Sequence, residues 1–184
     1  LLTRYGGGDV EAIKKELKKK TLTDTKRKQL NNELDAAVMN ARKYFEVDVA
    51  KSCHHGSSDF TSEFLRCLNP IATVISSGDD EPHCHPRPDT LGTIGKHSRG
   101  ERSLIFSTEM ARSGKEFIDL TKIKGPKKKV RVVTVYGMIN LRSDGNKMII
   151  AQKLERPASG RGWDKHMFEY DATTKQFEYI RKEE

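Results

Sequence analysis

The segment IATVISS at 71–77 restricts the fold of this chain more than any other stretch. It is β-branched and apolar with no polar alternation, so it reads as a strand covered on both faces, as in a layered α/β sheet. The flanking sequence supplies the covering helices. Thr61–Leu68 fits one helix, entered through Ser58 or Asp59 as N-cap and stopped at Asn69-Pro70. A polar loop, GDDEPHCHPRP, leads to a helix from about Asp89 to His97, and SLIFS at 103–107 is the next strand. Val47–Lys51 reads as one more short buried strand. This alternation of strand, loop and helix predicts an α/β architecture through residue 107.

Residues 1–8 read as the tail of a strand running into a glycine turn (Gly6, Gly7, Gly8). A helix from about Val10 to Lys20 follows. A longer one from about Thr25 to Phe45 has Leu30, Leu34, Val38, Ala41 and Phe45 three or four residues apart. The pattern changes after residue 125. VRVVTVYGMINLR and KMIIAQKLE read as strands joined through Ser143-Asp144-Gly145-Asn146, whose Asp-Gly step marks a hairpin. MFEYD and QFEYI form a further pair around ATTK, and PASGRGWDKH, with Trp163, reads as an exposed connection. The expected division is an α/β unit over 1–125 with a helical insertion at 12–45, then a β-rich extension over 126–184.

The chain has 184 residues, 33% of them charged, and a net charge of +8. No apolar run approaches the ~18 residues of a membrane span, and the start LLTRYGGGDV has no secretory h-region. Cys53, Cys67 and Cys84 are an odd count without a CxxC, which reads as reduced thiols and a cytoplasmic setting. Cys67, among Phe64, Leu65 and Leu68, reads as a small buried hydrophobe. Residues 12–51 carry 11 Lys or Arg against 6 acids, and KIKGPKKKVR at 122–131 has 6 bases and no acid. The region between, 52–121, has 7 bases and 10 acids. Basic flanks around an acidic, histidine-bearing centre suit a cation site that attracts a polyanion; the same charges also suit solvated helix faces and an exposed loop.

Three constellations carry chemistry. Cys53-His54-His55-Gly56-Ser57 directly follows a strand, where an imidazole can be held rigidly and Gly56 lets backbone approach a ligand closely. Strand neighbours point to opposite faces, so one histidine is expected as a ligand and the other as a proton relay or substrate contact. The alternative is a pair that merely falls in a polar turn. Pro82-His83-Cys84-His85-Pro86 brings His85 to the entrance of the next helix, with Pro86 in its first turn. Gly8-Asp9-Val10-Glu11 is a glycine turn feeding a helix, where Asp9 is either an N-cap or a carboxylate bridging two metal ions.

Taken in order, GDVE, the strand ending in HHGS, the Ser62-Glu63-Phe64-Leu65 helix, the Ile75-Ser76-Ser77-Gly78 strand end and His85-Pro86 resemble the second half of a metallo-β-lactamase-fold hydrolase, the ComEC-type branch in particular. The resemblance spans residues 6–107 and is weakest over 12–45. It implies the C-terminal half of an αβ/βα sandwich with its site at the carboxyl ends of the strands. It implies Asp9 as the bridging carboxylate, His54 as the ligand of a second metal, and His55 and His85 as the histidines beside the substrate. Ser57 would orient that loop and Glu11 a ligand. The implied cofactor is a pair of zinc ions or another divalent metal.

The family's His-x-His-x-Asp-His motif is absent from all six histidines (54, 55, 83, 85, 97 and 166). Asp9 and His54 are two ligands, where zinc wants about four. The expectation is a carboxyl-terminal piece of a longer hydrolase, whose partner is the missing N-terminal half of the same domain. The expected substrate is a phosphodiester, nucleic acid being the class that the basic flanks and the resemblance favour. Two other readings stand beside it. One is a non-catalytic basic module that binds nucleic acid or a partner, with a degenerate metal site, although residues 12–43 hold no aromatic ring for stacking. The other is a structural zinc knuckle built from Cys53, His54, His83, Cys84 and His85.

Overall fold

The computed structural model describes residues 1–77, 85–108, 136–154 and 162–183. Three short parallel strands, β1 (Val49–Lys51), β2 (Ala72–Ile75) and β3 (Leu104–Ser107), form a sheet in the order β1-β2-β3. Thr73 pairs with Ala50 on one side and Ile105 on the other. The central strand is the apolar segment singled out above, with Ala72, Thr73 and Ile75 buried. The crossovers carry α4 (Ser62–Leu68) and α5 (Pro88–His97).

Local chemistry fixes the ends of these helices. Thr61, rather than Ser58 or Asp59, caps α4 by accepting from the Phe64 amide at 3.3 Å. Asp59 is engaged elsewhere, with its carboxylate accepting from the Ser57 hydroxyl. Asn69 ends α4 in the left-handed region (φ 44°), a conformation Asn tolerates, and Pro70 follows. Helix α5 begins at Pro88, so Pro88 and not Pro86 occupies its first position. His85 therefore sits three residues before the helix instead of at its mouth.

At the amino end, residues 2–6 form a short helix, α1 (Leu2–Gly6), where the sequence predicts a strand tail. Helix α2 (Val10–Leu17) and the long α3 (Asp24–Phe45) follow. Among the described residues no strand lies beside 1–8 to share ladder bonds, whereas a helical turn satisfies its own backbone. It also buries Leu2 and Tyr5 against Val38, Ala41 and Cys67. Gly6 makes this crossing close: a β-carbon there would lie 2.6 Å from the Ala37 carbonyl oxygen. Helix α3 presents Leu30, Leu34, Ala37, Val38 and Ala41 to the interior, the face its spacing predicts. Cys67 is fully buried, as expected.

The carboxyl-terminal part is a four-stranded antiparallel meander of β4 (Tyr136–Ser143), β5 (Lys147–Leu154), β6 (Trp163–Asp171) and β7 (Gln176–Glu183). Both predicted hairpins are present, with Gly145 (φ 93°) in the first turn. Trp163 is half-buried at the start of β6 rather than in an exposed connection. Met148, Ile150, Phe168 and Phe177 join Ile71, Ala72, Leu104 and Phe106 in one core, so the two sheets bury each other. A polar clamp ties them further. Arg99 donates to Asp48 and to the carbonyls of Val47, Asn69 and Phe177, and Asp48 also accepts from the Phe177 amide. The protein is thus α/β with a β-rich carboxyl-terminal sheet. Among the described residues no helix is long and apolar enough to cross a membrane.

Candidate functional site

The carboxyl ends of β1 and β2 bring the histidine loops together. Ser52 leaves β1 with its amide bonded to the Val74 carbonyl (2.9 Å), and the chain turns at once through a 3₁₀ turn over His54–Gly56. Three successive residues are left-handed there: His54 (φ 48°), His55 (φ 55°) and Gly56 (φ 89°). Only the glycine adopts that region at no steric cost. Each histidine costs about 1–2 kcal/mol, and strain of this kind gathers at sites where a side chain must be aimed.

Both rings have a fixed Nδ1. His55 Nδ1 lies 2.7 Å from the Ser76 carbonyl oxygen at the end of β2. A carbonyl only accepts, so Nδ1 carries the proton and Nε2 of the neutral ring keeps its lone pair for a proton or a ligand. His54 Nδ1 lies 3.3 Å from Asp59 Oδ2. Asp59 is bracketed in turn by Ser57, whose hydroxyl donates to the same oxygen at 2.7 Å and accepts from the Asp59 amide at 3.3 Å. The Ser57 hydroxyl, then His54, hold the Asp59 carboxyl below its usual range.

The second loop closes onto the first through Gly56. A β-carbon on Gly56 would stand 2.6 Å from Pro86 Cβ and 2.9 Å from Pro86 Cα, and the Arg87 amide donates to the Gly56 carbonyl at 3.0 Å. This contact brings the His85 ring to 5.6 Å from His54, centroid to centroid, with His55 at 6.5 Å from His54. His54, His55 and His85 therefore share one edge of the sheet.

Beside them is a cavity of about 480 Å³, lined by Leu2, Phe60, Phe64 and Leu68 and by Glu11, His54, Ser57 and Asp59. Asp9 is not in that lining. Its carboxylate caps α2, accepting from the Ala12 amide at 3.0 Å. Glu11, two residues further on, is the acid of the glycine turn that reaches the cavity of His54. Asp59 is the site residue that sequence reasoning passed over, and its signal was the Ser57-x-Asp59 spacing just after the histidines. His83 and Cys84, and with them the zinc-knuckle reading, lie outside the described residues.

Among the described residues no three His, Cys, Asp or Glu side chains are grouped to hold a metal ion. Zinc takes about four donors, so the described side chains do not by themselves make a zinc centre.

No family model and no solved structure matches this chain. A stretch of 70 residues, 38% of the chain, is 36% identical to ComE operon protein 3 of Bacillus subtilis (strain 168). Over that stretch the chain resembles a competence-operon protein. The match spans only 9% of the relative's length.

Proposed function

We propose that this chain is the carboxyl-terminal part of a metal-dependent hydrolase of the metallo-β-lactamase type, acting on a phosphodiester and most simply on nucleic acid. The observation that carries this reading is the meeting of His54, His55 and His85 at the carboxyl ends of adjacent parallel strands, each of the first two rings held through Nδ1. The short similarity to a ComE operon protein supports it. So does β1, which is the edge of its sheet and has a side with no strand partner among the described residues, where the first half of such a fold would continue the sheet.

The reading requires two zinc ions or another divalent pair, and the described residues supply too few donors. The remaining ligands must come from residues other than these, so no step is routed through a metal here. What the chain's own groups do is narrower. His55 presents an oriented Nε2 lone pair that can take up a proton or return one. Asp59 and Ser57 keep His54 in a single tautomer and direction. The Lys and Arg residues of 12–51 raise the local concentration of a polyanion.

A second reading is favoured by the Asp9 carboxylate, already used as a helix cap: a non-catalytic basic module that binds nucleic acid or a protein partner. One experiment separates the two. The protein encoded by the whole reading frame that contains this chain is incubated with bis(p-nitrophenyl) phosphate and with linear DNA, with and without a chelator. Turnover that the chelator abolishes and zinc restores is expected. Salt-dependent DNA binding without turnover of either compound assigns the chain to the binding class.

A further inference from the structure

The positive charge of α2 and α3 is gathered where the two helices join. Residues 18–28 run from the end of α2 through the connecting turn into α3, and they hold six Lys or Arg against one acid, Asp24. The rest of α3, residues 29–45, holds two bases and two acids. The turn is braced by its own side chains. The Arg27 guanidinium donates to the Leu17 carbonyl at 3.1 Å and to the Lys19 carbonyl at 3.3 Å. Thr23 caps α3 by accepting from the Lys26 amide at 3.3 Å. Lys19 pairs with Glu16 at 2.7 Å, and Lys14 with Glu63 at 3.0 Å. Lys18, Lys20, Lys26 and Lys28 are exposed and form no ion pair among the described residues, although Lys26 also bonds the Gln29 side chain. Four such ammonium groups on a braced backbone repel one another, and an anion laid across them relieves that repulsion.

We propose that the α2–α3 turn binds the phosphate backbone of a nucleic-acid duplex without reading its sequence. Ammonium groups are point charges that suit spaced phosphates. The side chains that read base edges are engaged: Arg27 holds two carbonyls, and Gln29 bonds Lys26 and Glu33. Residues 12–43 hold no aromatic ring on which a single strand would stack. A lipid surface fits less well, because Val10, Ile13 and Leu17 of α2 pack against Leu34 and Ala37 and leave no apolar face to insert. Glu11 lines the cavity of His54, and Lys18 stands seven residues along the same helix, about 10 Å by helical rise. A duplex held at the turn is thereby kept close to the histidines. The inference rests on the nucleic-acid reading above but not on hydrolysis.

The test is fluorescence anisotropy of short labelled DNA duplexes of two unrelated sequences with the 184-residue chain, in chelator, from about 50 to 200 mM salt. Four phosphate contacts give a slope of log K against log salt of about −3.6, equal for both sequences. The triple substitution Lys18→Gln, Lys20→Gln and Lys28→Gln should flatten the slope to about −1 and weaken binding more than about tenfold. It should melt no lower than wild type, since it breaks no ion pair. Lys96→Gln, Lys147→Gln and Lys153→Gln together remove the same charge elsewhere and should change binding by less than about threefold. Four results would each overturn the proposal: equal losses in the two triple variants, a lower melting temperature in the first, equal or tighter binding of a single strand, or equal or tighter binding of phosphatidylserine vesicles. Those results would leave chelator-sensitive turnover of bis(p-nitrophenyl) phosphate untouched, so this inference and the hydrolytic reading fail separately.

Discussion

Replacing Gly56 by alanine acts on the joint between the two histidine loops. Gly56 is buried with φ 89°, so an alanine there adopts the left-handed region at a cost of about 1–2 kcal/mol. Its β-carbon also meets Pro86 Cβ at 2.6 Å, Pro86 Cα at 2.9 Å and Ile75 Cγ2 at 3.2 Å. None of these is the far end of a flexible side chain, so the clash adds about 1–3 kcal/mol, the usual cost of overpacking. Gly145→Ala isolates the backbone part, because Gly145 has φ 93° and nothing within 4 Å of an added β-carbon. At about 2–4 °C per kcal/mol for a chain of this length, Gly56→Ala should melt about 2–12 °C below Gly145→Ala in thermal unfolding followed by circular dichroism. The proximity signal between the His54 and His85 rings should also vanish in Gly56→Ala and persist in Gly145→Ala. Equal melting temperatures, with that signal intact in both, would refute the close approach of the loops and the pairing of His54 with His85 built on it.

Phe168→Ala removes a ring with no exposed surface from the core shared by the two sheets. It should cost about 3–5 kcal/mol in urea unfolding and lower a single transition; two separate transitions would show that the sheets do not share a core. Arg99→Leu leaves three carbonyls without their donor and Asp48 without its cation, and should cost about 3 kcal/mol. A loss below about 1 kcal/mol in the same assay would count against the clamp. Burial pushes the Glu63 carboxyl up, but a backbone amide and Lys14 Nζ at 3.0 Å outweigh it, so the group titrates below its usual range. A lowered folded pKa means that the stabilisation is present above about pH 4.3 and is lost as pH falls through the folded value. Glu63→Gln should therefore flatten the acid limb of stability against pH, and an unchanged limb would exclude this contribution. Burial lowers the pKa of His97, so between about pH 6.5 and its lower folded value the unfolded chain binds the extra proton. Urea midpoints should decline there as pH falls, and less steeply in His97→Gln.

The parts of the fold that could be read in advance are those in which one residue pattern has one physical outcome. The run at 71–77 had to be a doubly covered strand, the three-four spacing in 25–45 had to be a helix face, and Asp144-Gly145 had to turn a hairpin. The misreadings fall where two outcomes compete locally and a distant contact decides. Leu1–Gly8 is as apolar as a strand end, yet it folds as α1 because Ala37 and Ala41 offer it a surface. Ser58, Asp59 and Thr61 are all good caps, and Thr61 serves because Asp59 turns back to Ser57 and His54. Pro86 and Pro88 both suit a first helical turn, and the packing of Pro86 on Gly56 leaves the role to Pro88. The histidines were legible as a loop-borne group after strands. Their orienting partners were not, because the Ser76 carbonyl lies 21 residues from His55 and carries no side-chain signal.

The most direct measurement is phosphodiester hydrolysis by the complete gene product, comparing wild type with His54→Ala at equal folded concentration and saturating zinc. If His54 belongs to a two-cation pocket completed by residues beyond those described, kcat/KM should fall by more than about 100-fold, equivalent to about 2.7 kcal/mol or more of lost transition-state stabilisation. Undiminished turnover would contradict it.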